Sequence, residues 1–162
     1  MLAASECLDK GRDLDLSDRY INNQTTKYLL QAGKEDEALK RISLFTRHEG
    51  KPEQNLYDMQ CSWYELELAE CLQRKGQLGK SLKKFSAVAK HFEDFNEDQF
   101  DFHAYCLRKV TLRAYVNVLR YEDVIYGQEY FCRAAAGIIG IYLYMVDNPD
   151  EEEEEEPDYS SM

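Results

Sequence analysis

Three places in the sequence carry side chains whose types and spacing could do chemistry. Asp13-Leu14-Asp15-Leu16-Ser17 has the D-x-D-x-S spacing of a phosphoryl-transfer loop, in which one carboxylate attacks phosphorus and its neighbour handles the proton. Such a loop needs an apolar strand ahead of it, and Lys10-Gly11-Arg12 precedes here. The same residues read better as a helix entry, a place that Asp and Ser favour. His103 and Cys106 stand i, i+3 on one helical face, where an imidazole could draw a proton from a thiol. With no orienting acid and no loop to expose the thiol, a core cysteine beside a hydrogen-bonded histidine is the better reading. Third, Lys83, Lys84 and Lys90 with Arg108, Lys109 and Arg113 would make a positive stripe if their helices stack, although such residues usually form a solvated helix face. His48, His91 and His103 are isolated and lack the i, i+4 partner of a helical zinc site, and no glycine-rich phosphate loop occurs, so metal and nucleotide gain no support.

The elements that must position these residues are helical. Glycine and proline are too sparse for a many-turned β fold, and apolar residues recur at helical spacing. The pattern predicts an N-terminal helix remnant over Met1 to Gly11, too short to fold alone, with residues 1–16 as remnant and linker. A helix capped by Ser17 then runs to about Ala32, with Tyr20, Tyr28 and Leu29 inward, and Gly33 ends it. Its partner, Glu35 to about Arg47, carries Ala38, Leu39, Ile42 and Phe45 on one face. After a polar connector, His48 to Asn55, a second pair comes next. Leu56 to about Arg74 offers Met59, Trp63, Leu66 and Leu72 for burial, and Leu78 to about Phe92 offers Leu82, Phe85, Val88 and Ala89. A third pair is expected from Phe100 to Arg120 and from Gln128 to Val146, joined through Tyr121 to Gly127.

The first two pairs share a register. Gly33 is followed by Ala38, Ile42 and Phe45 as Gly76 is followed by Ser81, Phe85 and Val88. This is the second half of the tetratricopeptide consensus, in which glycine closes the inter-helix turn and a small residue lets the helices approach. The first half is degenerate, and the 43-residue offset between the glycines exceeds the usual repeat of about 34. The expected fold is therefore all-α, an α-solenoid of about three stacked hairpins over residues 17–147 whose apolar faces close by stacking.

Charge is distributed unevenly. The chain of 162 residues has 31 acidic and 20 basic residues, a net charge of −11 that argues against general nucleic-acid binding. Eight of the acids, Asp150, Glu151 to Glu156 and Asp158, fall in the last thirteen residues, and without them 23 acids face 20 bases. Pro149 stops the last helix and the glutamates repel one another, so 148–162 is expected to be a disordered acidic tail. Apolar runs are far shorter than the roughly 20 residues of a membrane span. Five cysteines, an odd number without a C-x-x-C pair, read as thiols of a reducing compartment, cytoplasmic or nuclear. Twelve tyrosines on a thin helical stack leave several at the surface as anchors for a partner, which favours binding over catalysis.

Several stretches together resemble a known family. They are Asp18-Arg19-Tyr20-Ile21-Asn22, Met59-Gln60-Cys61-Ser62-Trp63, Leu82-Lys83-Lys84-Phe85 and the block from Glu97 through Asp98-Gln99-Phe100-Asp101-Phe102-His103-Ala104-Tyr105-Cys106 to Val116, closed by Asp147-Asn148-Pro149. From about Leu14 to Pro149 the chain resembles the large auxiliary subunit of the N-terminal acetyltransferase A complex. The resemblance implies a non-catalytic tetratricopeptide scaffold, not an enzyme, which binds the catalytic acetyltransferase subunit and docks it at the ribosome, with neither specific DNA nor membrane as a partner. Family members are several times longer, so the chain corresponds to an internal piece. In the family an inositol polyphosphate sits where auxiliary and catalytic subunits meet. Inositol hexakisphosphate is then a structural ligand here rather than a required cofactor, with Arg19, Tyr20, Lys27 and Trp63 as the candidate contacts. The runner-up is a free-standing tetratricopeptide adaptor that captures short peptide motifs, and a hydrolase built on His103 and Cys106 ranks last.

Overall fold

A computed structural model describes residues 2–47, 49–97 and 99–149. Among these residues every regular element is helical. The helices are α1 (Leu2–Arg12), α2 (Arg19–Gln31), α3 (Glu35–Ile42, continued by a 3-10 turn over Ser43–Phe45), α4 (Pro52–Asp58), α5 (Ser62–Arg74), α6 (Leu78–Glu97), α7 (Gln99–Lys109), α8 (Leu112–Glu122) and α9 (Glu129–Asp147). A second 3-10 turn, Ile125–Gly127, leads into α9. The expected acidic tail from Asp150 onward, and His48, lie outside the described residues.

Two hairpins, α2–α3 and α5–α6, form as the periodicity predicts, and their turns are copies of each other. After α2, the amide of Gly33 donates to the Leu30 carbonyl at 3.0 Å and that of Lys34 to the Leu29 carbonyl at 2.9 Å. After α5, Gly76 donates to Gln73 and Gln77 to Leu72, both at 3.0 Å. This double bond satisfies the last helical carbonyls only if the residue after the cap is left-handed, and Gly33 (φ 79°) and Gly76 (φ 76°) take that conformation without a Cβ penalty. The small residues five positions on, Ala38 and Ser81, are fully buried, and the Ser81 hydroxyl donates to the Ala69 carbonyl at 2.7 Å.

The same turn occurs twice without glycine, and it divides two helices that the sequence pattern joins. At Gln60 (φ 52°) the amide of Cys61 donates to Leu56, which separates α4 from α5 within the expected Leu56–Arg74 helix. At Val110 (φ 56°) the amide of Thr111 donates to Cys106, which separates α7 from α8 within the expected Phe100–Arg120 helix. Part of the polar connector is itself helical, because Pro52 stands in the first turn of α4, where its missing N–H leaves nothing unpaired. The surplus of the 43-residue offset over a repeat of about 34 lies in this inserted helix and its flanks.

Other boundaries shift for local reasons. Asp18, not Ser17, caps α2, its carboxylate accepting from the amides of Tyr20 at 2.8 Å and Ile21 at 3.2 Å. α1 packs along α2. Tyr20 and Met59, expected inward, are exposed, and Leu30 takes the inward place beside Leu29.

The third pair departs most. α9 packs on α6 and α5 instead of forming a hairpin with α8. Phe131 meets Phe92 edge to face at 5.5 Å, the tip of the Phe85 ring lies against Gly137, and Gly140 reaches Gln73. Thus α9 runs antiparallel to α6 and parallel to α5. Two core clusters result. Leu29, Leu30, Ala38, Ile42, Leu56, Tyr64 and Leu68 fill the space between α2–α3 and α5, and Leu66, Ala69, Phe85, Val88, Ala134 and Ile141 that between α5, α6 and α9.

Candidate functional site

Helix α5 is the element around which the charged groups gather. Eight of its thirteen residues are buried, because α2, α4, α6 and α9 all pack on it. Two of its acids, Glu65 and Glu67, therefore cannot turn to solvent and must find partners inside. Glu65, 2% exposed, lies 2.7 Å from Nε2 of His91 on α6, whose ring also packs on Tyr57 of α4 at 4.9 Å. Burial pushes the Glu65 carboxyl above the usual carboxylate range, and the facing imidazole opposes that shift. Glu67, 3% exposed, accepts from Gln31 at 3.2 Å and from Arg133 at 3.3 Å, and pairs with Lys27 at 3.4 Å. Arg133 also holds Glu70 at 2.7 Å. Glu67 and its partners thereby join three helices, α2, α5 and α9, that lie far apart in the chain.

These contacts decide the roles of the side chains singled out by spacing. In the D-x-D-x-S segment, Asp13 pairs with Arg12, and Asp15 accepts from both the amide and the hydroxyl of Ser17, at 2.9 and 2.6 Å. Both carboxylates thus serve the α1–α2 turn. His103 turns its Nδ1 to the Tyr115 hydroxyl at 2.6 Å, across the α7–α8 turn, and Cys106 is buried at 2% exposure. The imidazole is thus engaged by the tyrosine. Burial pushes the Cys61 and Cys71 thiols up, which disfavours their thiolate forms. Among the described residues no three His, Cys, Asp or Glu side chains gather as a metal site.

The six basic residues do not join into one stripe. Lys90 is answered by Glu93, Asp94 and Glu97 on its own helix, and Arg108 lies over the Tyr105 ring at 5.8 Å. Lys83 and Lys84 instead join Lys80 in lining a cavity of about 320 Å³, faced by Glu35, Asp36 and Glu53 and floored by Leu39, Tyr64, Leu68 and Leu72. The four positions expected to meet inositol hexakisphosphate have separate partners. Arg19 lies over Phe45 at 5.1 Å, Lys27 pairs with Glu67, Trp63 packs on the first core cluster and edge to face on Tyr64, and Tyr20 is 71% exposed. Arg19 and Lys27 stand about 12 Å apart along α2 at 1.5 Å per residue.

Large apolar and aromatic side chains are also exposed on the last three helices. Tyr105, Leu107, Val110, Leu112, Val116 and Tyr121 on α7–α8, with Ile139, Tyr142, Leu143 and Val146 on α9, are all exposed.

Paired antiparallel helices with glycine-closed turns, stacked through a shared core, define a helical-repeat protein. Comparison with known proteins gives the family: residues 1–162 match the model of the N-terminal acetyltransferase A auxiliary subunit, and the chain belongs to that family. It is 48% identical over 149 residues to the N-terminal acetyltransferase A complex auxiliary subunit NAA15 of Arabidopsis thaliana, covering 92% of this chain and 16% of that protein. It is 42% identical over 158 residues to N-alpha-acetyltransferase 16, NatA auxiliary subunit, of Homo sapiens, covering 98% of this chain and 18% of that one. A solved structure of Naa15/Naa10 bound to HypK-THB superposes with a TM-score of 0.87 at 41% identity, over 93% of this chain and 23% of that chain. The chain thus spans less than a quarter of the length of the relatives it matches.

Proposed function

We propose that this chain is a non-catalytic scaffold segment that binds the catalytic acetyltransferase subunit and supports N-terminal acetylation of nascent chains at the ribosome. The observation that carries this reading is the match of nearly the whole described chain, at 41% identity, to a chain of the Naa15/Naa10 assembly. The site chemistry supports it as well. The buried carboxylates are held by His91, Arg133 and Lys27, and His103 by Tyr115, so these groups shape the stack and leave the recognition energy to exposed side chains. Scaffolding of this kind acts through geometry: a preorganised helical surface that favours one arrangement of the partner's active-site loops lowers the barrier without contributing a reacting group.

A half-site of Arg19 and Lys27, with Tyr20 and Trp63, belongs to the same proposal. A polyphosphate needs several convergent cations, so inositol hexakisphosphate would be held here only where the catalytic subunit supplies the rest. Cytoplasmic location, with a nuclear pool, fits this role.

The test is co-expression of the chain with the catalytic subunit, followed by affinity retention and acetylation of Ser- and Ala-starting peptides. Retention with altered acetylation is expected. A folded chain that neither co-purifies nor changes acetylation would overturn the scaffold reading. Titrating inositol hexakisphosphate into the complex and into the chain alone tests the half-site, which predicts tighter binding to the complex.

A further inference from the structure

The cavity of about 320 Å³ between α3, α4, α5 and α6 has two walls of opposite charge. Glu35 and Asp36 in the first turn of α3, with Glu53 in the first turn of α4, make one wall. Lys80, Lys83 and Lys84 on α6 make the other. The two walls face each other without closing. Glu35 pairs with Lys75 at 2.8 Å, outside the lysine wall, and among the described residues no ion pair joins one wall to the other. The packing of the helices holds them apart. Ala38 of α3, Leu56 of α4 and Ser81 of α6 are all buried, and the Ser81 hydroxyl ties α6 to the Ala69 carbonyl of α5 at 2.7 Å. Closing the cavity would pull these residues out of the core. The floor between the walls is apolar, formed by Leu39, Leu68 and Leu72 with Tyr64.

Such a cavity selects by the order of charges in its ligand. A polyanion drawn to the lysines meets Asp36 and Glu53 opposite, and a polycation drawn to the acids meets the lysines. A wholly apolar segment would take charged groups out of water with nothing to pair them. The ligand that answers every surface carries a cation and an anion on either side of an apolar group. An extended chain supplies this spacing, since at about 3.3 Å per residue positions i and i+2 stand about 7 Å apart and the side chain between them points the other way. We propose that this cavity captures an extended peptide segment of a partner protein in which one apolar residue lies between a basic and an acidic residue. The base faces the α3–α4 wall, the acid faces α6, and the apolar side chain rests on the leucine floor. A volume at the small end of ligand pockets, which run from roughly 300 to 1,000 Å³, suits a short segment of this kind. The inference rests on the cavity alone and stands apart from the scaffold reading.

Fluorescence anisotropy with the full 162-residue chain and labelled peptides tests it. The probes are Gly-Ser-Arg-Leu-Glu-Ser-Gly and Gly-Ser-Glu-Leu-Arg-Ser-Gly, with controls whose central triplet is Arg-Leu-Arg, Glu-Leu-Glu or Arg-Ser-Glu. A mixed-charge probe is expected to bind at least about tenfold tighter than every control. In the Lys80→Glu/Lys83→Glu variant the preference should pass to the Arg-Leu-Arg peptide, and in the Asp36→Lys/Glu53→Lys variant to the Glu-Leu-Glu peptide. All four substituted positions are exposed, and Lys84 is left in place because it also faces the buried Glu65. Either variant that keeps the parent circular dichroism spectrum is sufficient for this swap. Equal binding of all the peptides, or binding of none at about 1 mM, would overturn the proposal. So would a preference that stays unchanged in the folded variants.

Discussion

Helix α5 buries eight of its thirteen residues, whereas α8, only two residues shorter, buries none. Both are amphipathic helices of ordinary composition, and the difference lies in how many neighbours each has. α5 is approached by α2, α4, α6 and α9, so even Glu65 and Glu67 are inside and must be answered by His91, Arg133, Lys27 and Gln31. α8 packs chiefly on α7, and the pair keeps Leu107, Val110, Leu112 and Val116 in contact with water. A central helix thus carries stability together with a polar network that specifies which helices may surround it. A peripheral hairpin carries exposed apolar surface suited to further packing or partner binding.

The contrast can be broken first at its strongest point. Phe85→Ala removes a ring that is 1% exposed and abuts Gly137, and it should cost about 3 to 5 kcal/mol in denaturant unfolding. A loss below about 1 kcal/mol would mean that α9 is not held against α6 as described. Next, Arg133→Ala should cost about 2 kcal/mol, because Glu67 stays buried with one cationic partner fewer; Arg133→Lys should recover part of that loss.

Asp9 sharpens the comparison through pH. Hydrogen bonds and charge from Arg41 and Arg12 hold its carboxyl down at about 2, against an ordinary 3.8. The folded state therefore binds fewer protons than the unfolded one in that window. The stabilisation is complete above the ordinary value and is lost as pH falls toward about 2. Asp9→Asn should cost about 1 kcal/mol at neutral pH, with the gap from the parent chain closing on acidification. A gap that stays constant from pH 6 to pH 2 would remove the Asp9–Arg41 pair from the account.

Smaller effects belong to the hairpin. Val110→Gly should stabilise by about 1 kcal/mol, since a β-branched residue at φ 56° is relieved of its Cβ clash. Leu107→Ala should stay within about 0.5 kcal/mol, in keeping with an exposed side chain. A Leu107→Ala loss near that of Phe85→Ala would erase the distinction between the two regions.

The turns show how far the fold is readable from sequence. Gly33 and Gly76 announce their positions because only a residue without Cβ takes the left-handed conformation freely, so periodicity and glycine together place the two hairpins. Gln60 and Val110 make the same turn with no glycine to mark it, and the periodic pattern gives two helices where there are four. Ser17 and Asp18 are adjacent cap-forming residues, and only the carboxylate geometry chooses between them. The polar network is hidden for a related reason. The acids of α5 look like an ordinary solvated face until α9 covers it, and His91 finds its partner 26 residues away.

What the sequence by itself determined is the all-helical class, the glycine-closed turns, the family and the acidic run, all of which depend on residue identity and local periodicity. Only the tertiary structure decided that α9 lies on α5 and α6 rather than on α8, that Glu65, Glu67 and Arg133 are internal, and that Lys80, Lys83 and Lys84 face a cavity. Helical periodicity says which face of a helix is apolar. Which neighbour covers that face is settled by long-range fit, such as the Phe85 ring against the bare backbone of Gly137, and that fit leaves no mark in local sequence.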